Sequence, residues 1–249
     1  MNVPTLARAP LAALAFLTRI PVGRSVELGV ADVTRGAMLF PLVGGAVGAA
    51  SGLVADVVAG LTSPLVGGAL AVGVAALLTG AMHLDALADT ADALGGHTGE
   101  HALQIMRDHA VGAFGATALI VVCLADASAF GALGETDRAL LVGLAAGAGG
   151  RAAMLPLAVL LPYARSGDGK GRALAGMGPL ALTVGLLIGV ALAVPAGSPA
   201  ITGLAAGACV AAVLGVFFRV WLGGVTGDGL GATAKLAETA ILVTALAAT

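Results

Sequence analysis

The sequence predicts an all-α fold: a polytopic integral membrane helical bundle of about seven transmembrane helices, with short helices at the cytoplasmic interface. The 249 residues are 59% hydrophobic and only 10% charged, with a mean hydropathy of +1.03. Soluble domains carry about a quarter charged residues. The 39 glycines follow no Gly-X-Y period and fall among alanine, valine and leucine. They therefore belong to apolar helices and not to a fibrous or low-complexity segment.

Seven apolar segments have the length of about 20 residues that a helix needs to cross a bilayer core. Turn-forming residues separate most of them. We therefore interpret residues 1–249 as a single integral membrane domain. The predicted spans lie at about 36–60, 64–82, 110–133, 139–161, 174–195, 200–221 and 232–249.

The segment from Leu11 to Leu17 is apolar but too short to span a membrane. A signal peptide would need a small-x-small cleavage site after it, and Thr18 to Pro21 offers none. We predict a short helix at the membrane interface or packed under the bundle.

Glycines at four-residue spacing predict where helices approach closely, because small residues let helix backbones touch in a membrane. The spacing occurs in three of the predicted spans: Gly44-Gly48-Gly52, Gly143-Gly147 and Gly203-Gly207.

The distribution of cations predicts the orientation. If seven spans alternate from a cytoplasmic N-terminus, every lysine and arginine except Arg138 and Arg151 falls on the cytoplasmic side or at a span end facing it. Positive residues in short loops mark that side. We therefore expect the polar chemistry to be gathered at the cytoplasmic face.

Charge and cysteine content exclude two classes of function. Twelve basic and fourteen acidic residues give a net charge of −2, which is too balanced for nucleic-acid binding. Cys123 and Cys209 each lie alone in an apolar run, so the sequence offers neither a redox CxxC motif nor a zinc site. We interpret them as small buried residues.

A predicted cytoplasmic helix over about 83–95 carries the most informative residues. Asp85, Asp89 and Asp92 lie within about 60° of one another on a helix, so their carboxylates share one face. The intervening residues are almost all apolar, which favours a helix embedded in protein over a solvated acidic face. Clustered carboxylates are typical ligands of hard cations such as Mg²⁺.

Cations and further acids follow in segments predicted to reach the same face. Arg107-Asp108 precedes a helix start at Gly112 that could receive a phosphate. The glycine-rich loop 163–172 lacks the Walker A spacing, and it is either a phosphate clamp or a plain positive-inside loop. Its cations are Arg165, Lys170 and Arg172, and later candidates are Arg219, Asp228 and Glu238, where Glu238 can point back toward Asp228.

Acids that can hold a metal, cations that can hold phosphates and one shared face together indicate phosphoryl or substituted-phosphoryl transfer. Either one or two metal ions are compatible with the sequence.

The chain also resembles the cobalamin synthase family, the adenosylcobinamide-GDP ribazoletransferases. The similar segments run in family order: Phe16–Gly23, Phe40–Gly48, Met82–Gly96, Ile105–Ala116, Gly150–Pro156, Tyr163–Gly171 and Gly223–Glu238. The combination of HLDALADTADAL, MRDHAVGAFGA and GGVTGDGLGA is far more specific than a lone glycine motif.

The resemblance implies a multi-pass enzyme of a bacterial or archaeal cell membrane with its active site facing the cytoplasm. Such enzymes transfer the adenosylcobinamide phosphate unit from adenosylcobinamide-GDP to α-ribazole or its 5′-phosphate and release GMP, with Mg²⁺ as cofactor. The resemblance leaves open whether the protein forms a homo-oligomer or a complex with the other enzymes of nucleotide-loop assembly. We expect an open bowl larger than the usual pocket of roughly 300–1,000 Å³, because a corrinoid is a large substrate.

Carried over residue by residue, the resemblance implies three groups of site residues. The metal-binding candidates are Asp85, Asp89, Asp92 and Asp228, which with Asp108 form the catalytic set. The phosphate and substrate candidates are Arg19, Arg107, Lys170 and Arg172, with Arg219, Glu238 and His83 in support. His83 lies about 160° around the helix from Asp85, which favours a structural or nucleotide-side role over that of a general base.

Two positions depart from the family pattern. Ala86 stands where glycine is frequent, which we expect to alter helix packing only. His109-Ala110 stands where serine and a basic residue are frequent, which puts a phosphate contact there in doubt.

Two other classes of membrane protein share some of these features. A secondary transporter would place ionisable groups near the midplane, where only Asp56 and Asp126 are candidates, each isolated in an apolar run. A CDP-alcohol phosphotransferase needs Gly after its second Asp, and the residues here do not match that motif.

Overall fold

A computed structural model of the chain describes residues 5–22, 27–108, 110–165 and 170–249. The described residues form helices and one isolated parallel bridge, so the all-α prediction is confirmed. The helices are α1 (Thr5–Leu17), α2 (Val30–Gly36), α3 (Phe40–Leu61), α4 (Pro64–Thr79), α5 (Met82–Asp92), α6 (Gly99–Ile105), α7 (Ala113–Gly134), α8 (Ala139–Leu160), α9 (Pro179–Ala193), α10 (Ser198–Leu222) and α11 (Gly227–Ala247).

Six helical segments of the described chain are long and apolar enough to cross a membrane, and a seventh span results if α4 and α5 count as one. The axes of α4 and α5 differ by 94°. The bend occurs because Gly80 and Ala81 both have left-handed backbone conformations, with φ of 64° and 58°. The second predicted span therefore ends at this bend, and the predicted carboxylate helix turns away from it.

Two predicted boundaries shift for local reasons. The span predicted from residue 174 begins at Pro179, because Lys170–Gly176 forms a 3-10 turn. The last helix begins at Gly227 and not near 232, because the Thr226 hydroxyl accepts a hydrogen bond from the Gly229 amide at 3.0 Å and caps the helix.

Two of the glycine motifs lie where two helices approach closely, as their spacing predicts. A β-carbon at Gly44 or Gly48 of α3 would overlap the carbonyl oxygen of Gly147 or Gly143 of α8. The two glycine motifs thus face each other across one helix contact.

The cysteines differ from their predicted burial. Cys123 is half-buried and Cys209 is exposed. Cys209 lies on α10, most of whose apolar residues are not buried within the protein, so this helix faces outward.

The helix α5 lies against α11 and α7, which positions the candidate site. Its buried Leu87 packs with Val122 of α7 and Ala232 of α11. A β-carbon at Gly231 would come within 2.5 Å of the Ala86 β-carbon. The departure at Ala86 therefore lies in a helix contact, and Ala86 also lines a pocket at this end of the bundle.

Candidate active site

A pocket of about 280 Å³ opens at the end of the bundle where α8 ends and α11 begins. It lies between α1, α5, α8, α11 and the segment that follows α8. Its polar lining consists of His83, Asp85, Tyr163, Arg165 and Asp228, and its apolar lining includes Phe16, Leu17, Met82, Ala86, Met154, Leu174 and Leu230.

Asp85 and Asp228 bring two carboxylates to this pocket from different helices. Each lies in the first turn of its helix, α5 or α11, where the helix dipole stabilises negative charge. They are close enough for the charge of Asp85 to act on Asp228. The sequence predicted both residues, and the fold brings them together.

Arg165 pairs with one of these carboxylates, Asp228. Its Nη2 atom donates a hydrogen bond to Asp228 Oδ2 at 2.6 Å and another to the Met106 carbonyl oxygen at 3.2 Å. Its Nε is buried without a partner among the described residues. The sequence placed Arg165 in the glycine-rich loop but did not assign it to the site.

A short backbone bridge holds Arg165 in place. The Val225 amide donates to the Pro162 carbonyl oxygen at 2.8 Å, and the Ala164 amide donates to the Val225 carbonyl oxygen at 2.9 Å. This parallel bridge joins the segment after α8 to the residues just before α11. It therefore brings Arg165 beside Asp228.

Tyr163 lies in the same wall of the pocket. Burial raises the pKa of its phenol above the ordinary value, against the opposing charge of Arg165. Tyr163 is therefore a neutral hydrogen-bonding group at physiological pH.

Asp92 has a helix-capping role that the sequence did not predict. Its two carboxylate oxygens accept hydrogen bonds from the Gly112 and Gly115 amides, both at 2.8 Å. These amides belong to the start of α7, so Asp92 satisfies two donors that a helix leaves unpaired. The helix start at Gly112, considered for a phosphate, receives this carboxylate instead.

The three aligned aspartates of α5 do not form one ligand cluster. Asp89 is half-buried one turn after Asp85. Among the described residues, no three His, Cys, Asp or Glu side chains are grouped so that they could hold one metal ion.

The other predicted cations and Asp108 lie outside the lining of the pocket. Arg19, Arg107, Arg172 and Arg219 are exposed. The backbone of Arg19 donates to the Leu78 carbonyl oxygen at 2.8 Å, and its side chain packs on Gly80 at the α4–α5 bend. Asp108 accepts a hydrogen bond from the Ala110 amide at 3.2 Å.

Some predicted features lie outside the described residues. They are His109, residues 166–169 of the glycine-rich loop and the side chain of Lys170.

Glu238 is turned away from Asp228, so it does not take the direction that the sequence allowed. It forms ion pairs with Arg151 of α8 and, at 2.7 Å, with Lys235. Ten helical residues separate Glu238 from Asp228, which is about 15 Å along the axis and about 80° around it. Lys235, assigned by the sequence to the cytoplasmic face, is buried within α11.

Two further residues complete this buried cluster. Lys235 Nζ lies 2.5 Å from Asp126 Oδ2 of α7, so Asp126 is not isolated. His83 Nδ1 lies 3.5 Å from Arg151 Nη2, and His83 also lines the pocket. The sequence offered no local signal for this cluster, because its members come from four helices.

Asp56 of α3 caps the start of α8. Its carboxylate accepts hydrogen bonds from the Ala139 and Leu140 amides, both at 2.9 Å. It is therefore a structural residue at a helix contact.

The pocket is smaller than the open bowl that a corrinoid would need. Its 280 Å³ lies just below the roughly 300–1,000 Å³ of common ligand pockets. This volume describes one pocket, and the larger open bowl for the whole corrinoid substrate stays a prediction.

These features define a multi-pass membrane protein with an acidic and cationic pocket at one end of its helical bundle. A model of the family described as "Cobalamin-5-phosphate synthase" matches residues 9–246. The chain belongs to this family, and it is a membrane transferase of cobalamin biosynthesis.

Curated relatives are similar over nearly their whole length. A protein named adenosylcobinamide-GDP ribazoletransferase from Ralstonia nicotianae is 38% identical over 94% of this chain and 93% of its own. Proteins of the same name from Pseudomonas aeruginosa and Allorhizobium ampelinum are 38% and 37% identical, over 95% and 94% of this chain and 96% and 93% of their own lengths. No solved structure matches the chain.

Proposed function

We propose that this protein transfers the adenosylcobinamide phosphate unit from adenosylcobinamide-GDP to α-ribazole or α-ribazole 5′-phosphate, releasing GMP. The relatives' name includes the donor and the ribazole group. The observation that carries the proposal is the meeting of Asp85, Asp228 and Arg165 in one pocket. Phosphoryl transfer depends mainly on positioning and on neutralising phosphate charge, and these groups can do both.

The reaction balances without a further reactant. A ribose hydroxyl oxygen bonds to the phosphorus next to the cobinamide, the bond from that phosphorus to the bridging oxygen breaks, and GMP leaves with the electron pair. The hydroxyl proton is released. Arg165 contributes charge at the phosphates, since its guanidinium has five donors and Asp228 and Met106 engage only its Nη2 atom.

Mg²⁺ fits the donor set of this pocket. Asp85 and Asp228 supply hard oxygen donors from two helices, and Asp89 lies one turn after Asp85. One or two carboxylates are sufficient, because Mg²⁺ usually completes its shell with waters and substrate phosphates. When bound, the ion would neutralise charge on the phosphates.

We further propose that the protein lies in a bacterial or archaeal cell membrane with this pocket at the cytoplasmic face. Support comes from the exposed Arg19, Arg107, Arg172 and Arg219 at the pocket's end of the bundle, because cytoplasmic segments carry an excess of Lys and Arg.

The test is turnover by the purified protein in liposomes with adenosylcobinamide-GDP, α-ribazole and Mg²⁺, following the formation of cobalamin and GMP. We expect turnover that a chelator abolishes and that Asp85→Asn and Asp228→Asn reduce at least a hundredfold. Glu135→Gln, an exposed carboxylate at the opposite end of the bundle, is the control and should keep full activity. Folded wild-type protein without turnover would refute the proposal.

A further inference from the structure

We infer that the pocket binds the acceptor nucleoside, with its base against the apolar wall, and that the corrinoid donor lies outside it. This assignment rests on the proposed function and adds which substrate the pocket takes. A volume of about 280 Å³ suits a ligand at the small end of the drug-sized range. One nucleoside meets that limit, whereas a corrin macrocycle joined to GDP exceeds it.

The apolar lining forms one continuous wall. Leu17, Met154, Leu174 and Leu230 belong to a single buried cluster. Phe16 and Met82 pack against this cluster and also line the pocket. The wall can therefore cover a planar ring without offering a hydrogen-bonding group of its own.

Phe16 is the aromatic residue of this wall. Its ring stacks on Phe40, with centroids 5.2 Å apart and an interplanar angle of 22°. Phe40 is fully buried and Phe16 is half-buried, so the stack holds one ring still while part of it remains open to the pocket. Such a surface favours an aromatic ligand.

The polar groups form the other part of the pocket. Arg165 pairs with Asp228, and Tyr163 and Asp85 interact electrostatically with Asp228. A nucleoside has the same division, with an aromatic base at one end and ribose hydroxyls at the other. The base of α-ribazole is a dimethylated benzimidazole, whose apolar surface matches a wall that lacks polar partners. Its ribose would then face the carboxylates and Arg165.

The test measures the binding of α-ribazole and the KM for each of the two substrates separately. Phe16→Ala should weaken the binding of α-ribazole alone, measured by equilibrium dialysis on protein in nanodiscs, by about tenfold because an aromatic contact is lost. It should raise the KM for α-ribazole by a similar factor and leave the KM for adenosylcobinamide-GDP unchanged. Leu14→Ala is the matched control, because Leu14 lies on the same helix and packs against the same cluster but does not line the pocket.

The outcomes separate this inference from the proposed function. If Phe16→Ala raises the KM for adenosylcobinamide-GDP and spares α-ribazole binding, the pocket belongs to the donor and the inference is overturned while the reaction stands. Equal effects of Phe16→Ala and Leu14→Ala on α-ribazole binding would also overturn it. Wild-type protein that neither binds α-ribazole nor turns over would refute the proposed function as well.

Discussion

Lys235 Nζ lies 2.5 Å from Asp126 Oδ2, and this buried ion pair joins α11 to α7. The side chains of Lys235 and Asp126 are 9% and 1% exposed. Lys235 also contacts Glu238, which pairs with Arg151. Two cations thus balance two carboxylates inside the bundle, as buried charges require.

This balance predicts the effect of removing one charge. Lys235→Met should lower the free energy of unfolding by about 3–5 kcal/mol, because Asp126 loses its ion-pair partner while Glu238 keeps Arg151. The double variant Asp126→Leu/Lys235→Met removes both charges and should recover most of the loss. Chemical unfolding of the protein in detergent measures both. A double variant no more stable than Lys235→Met would show that the pair does not carry the effect.

Glycines with and without a close neighbour should respond differently to replacement by alanine. Gly48→Ala should destabilise the protein by about 1–3 kcal/mol, because the added carbon overlaps the Gly143 carbonyl oxygen. Gly73→Ala in α4 is the control, since no atom lies within 4 Å of its added carbon. It should be neutral or raise stability by up to about 1 kcal/mol through helix propensity. Equal losses in thermal unfolding would contradict the close contact.

We expect Asp92 to act mainly in stability and Asp85 mainly in turnover. Asp92→Ala should cost about 1–2 kcal/mol of stability, because the start of α7 loses two hydrogen-bond acceptors. Asp85→Ala should leave stability nearly unchanged, since this side chain is exposed, but should abolish turnover. Unfolding and turnover are measured on each variant. Loss of turnover in Asp92→Asn at unchanged stability would instead favour the metal-binding role that the sequence indicates.

Tyr163 gives a pH dependence that absorbance can follow, because it is the chain's one tyrosine. Burial raises the pKa of its phenol, so the ultraviolet signal of the phenolate should appear at higher pH in the folded protein than in denaturant. The unfolded chain releases this proton first, near pH 10. The stability that the neutral phenol contributes is therefore full below about pH 10 and is lost as the pH rises through the folded value. Tyr163→Phe should reduce this loss; coincident folded and unfolded titrations would refute the burial effect.

The sequence by itself determined the approximate spans, the acidic helix and the glycine motifs that allow close helix packing. These depend on properties that lie within one segment: an apolar length, a helical period or a four-residue spacing. Asp85 and Asp228 were found in the same way, as acids in contiguous motifs, one on the acidic helix and one just before the last predicted span. The family resemblance was visible for the same reason, because its motifs are contiguous.

The tertiary structure alone decided which charges meet. Arg165 and Asp228 are 63 positions apart, and Arg151 and Glu238 are 87 apart. Such pairs depend on how helices pack and on where the backbone bridge at Val225 places the preceding loop, and no local period encodes either. The same packing turned Asp92 toward the start of α7 and Glu238 toward Arg151, because a carboxylate packed between helices takes the nearest donors that the fold presents.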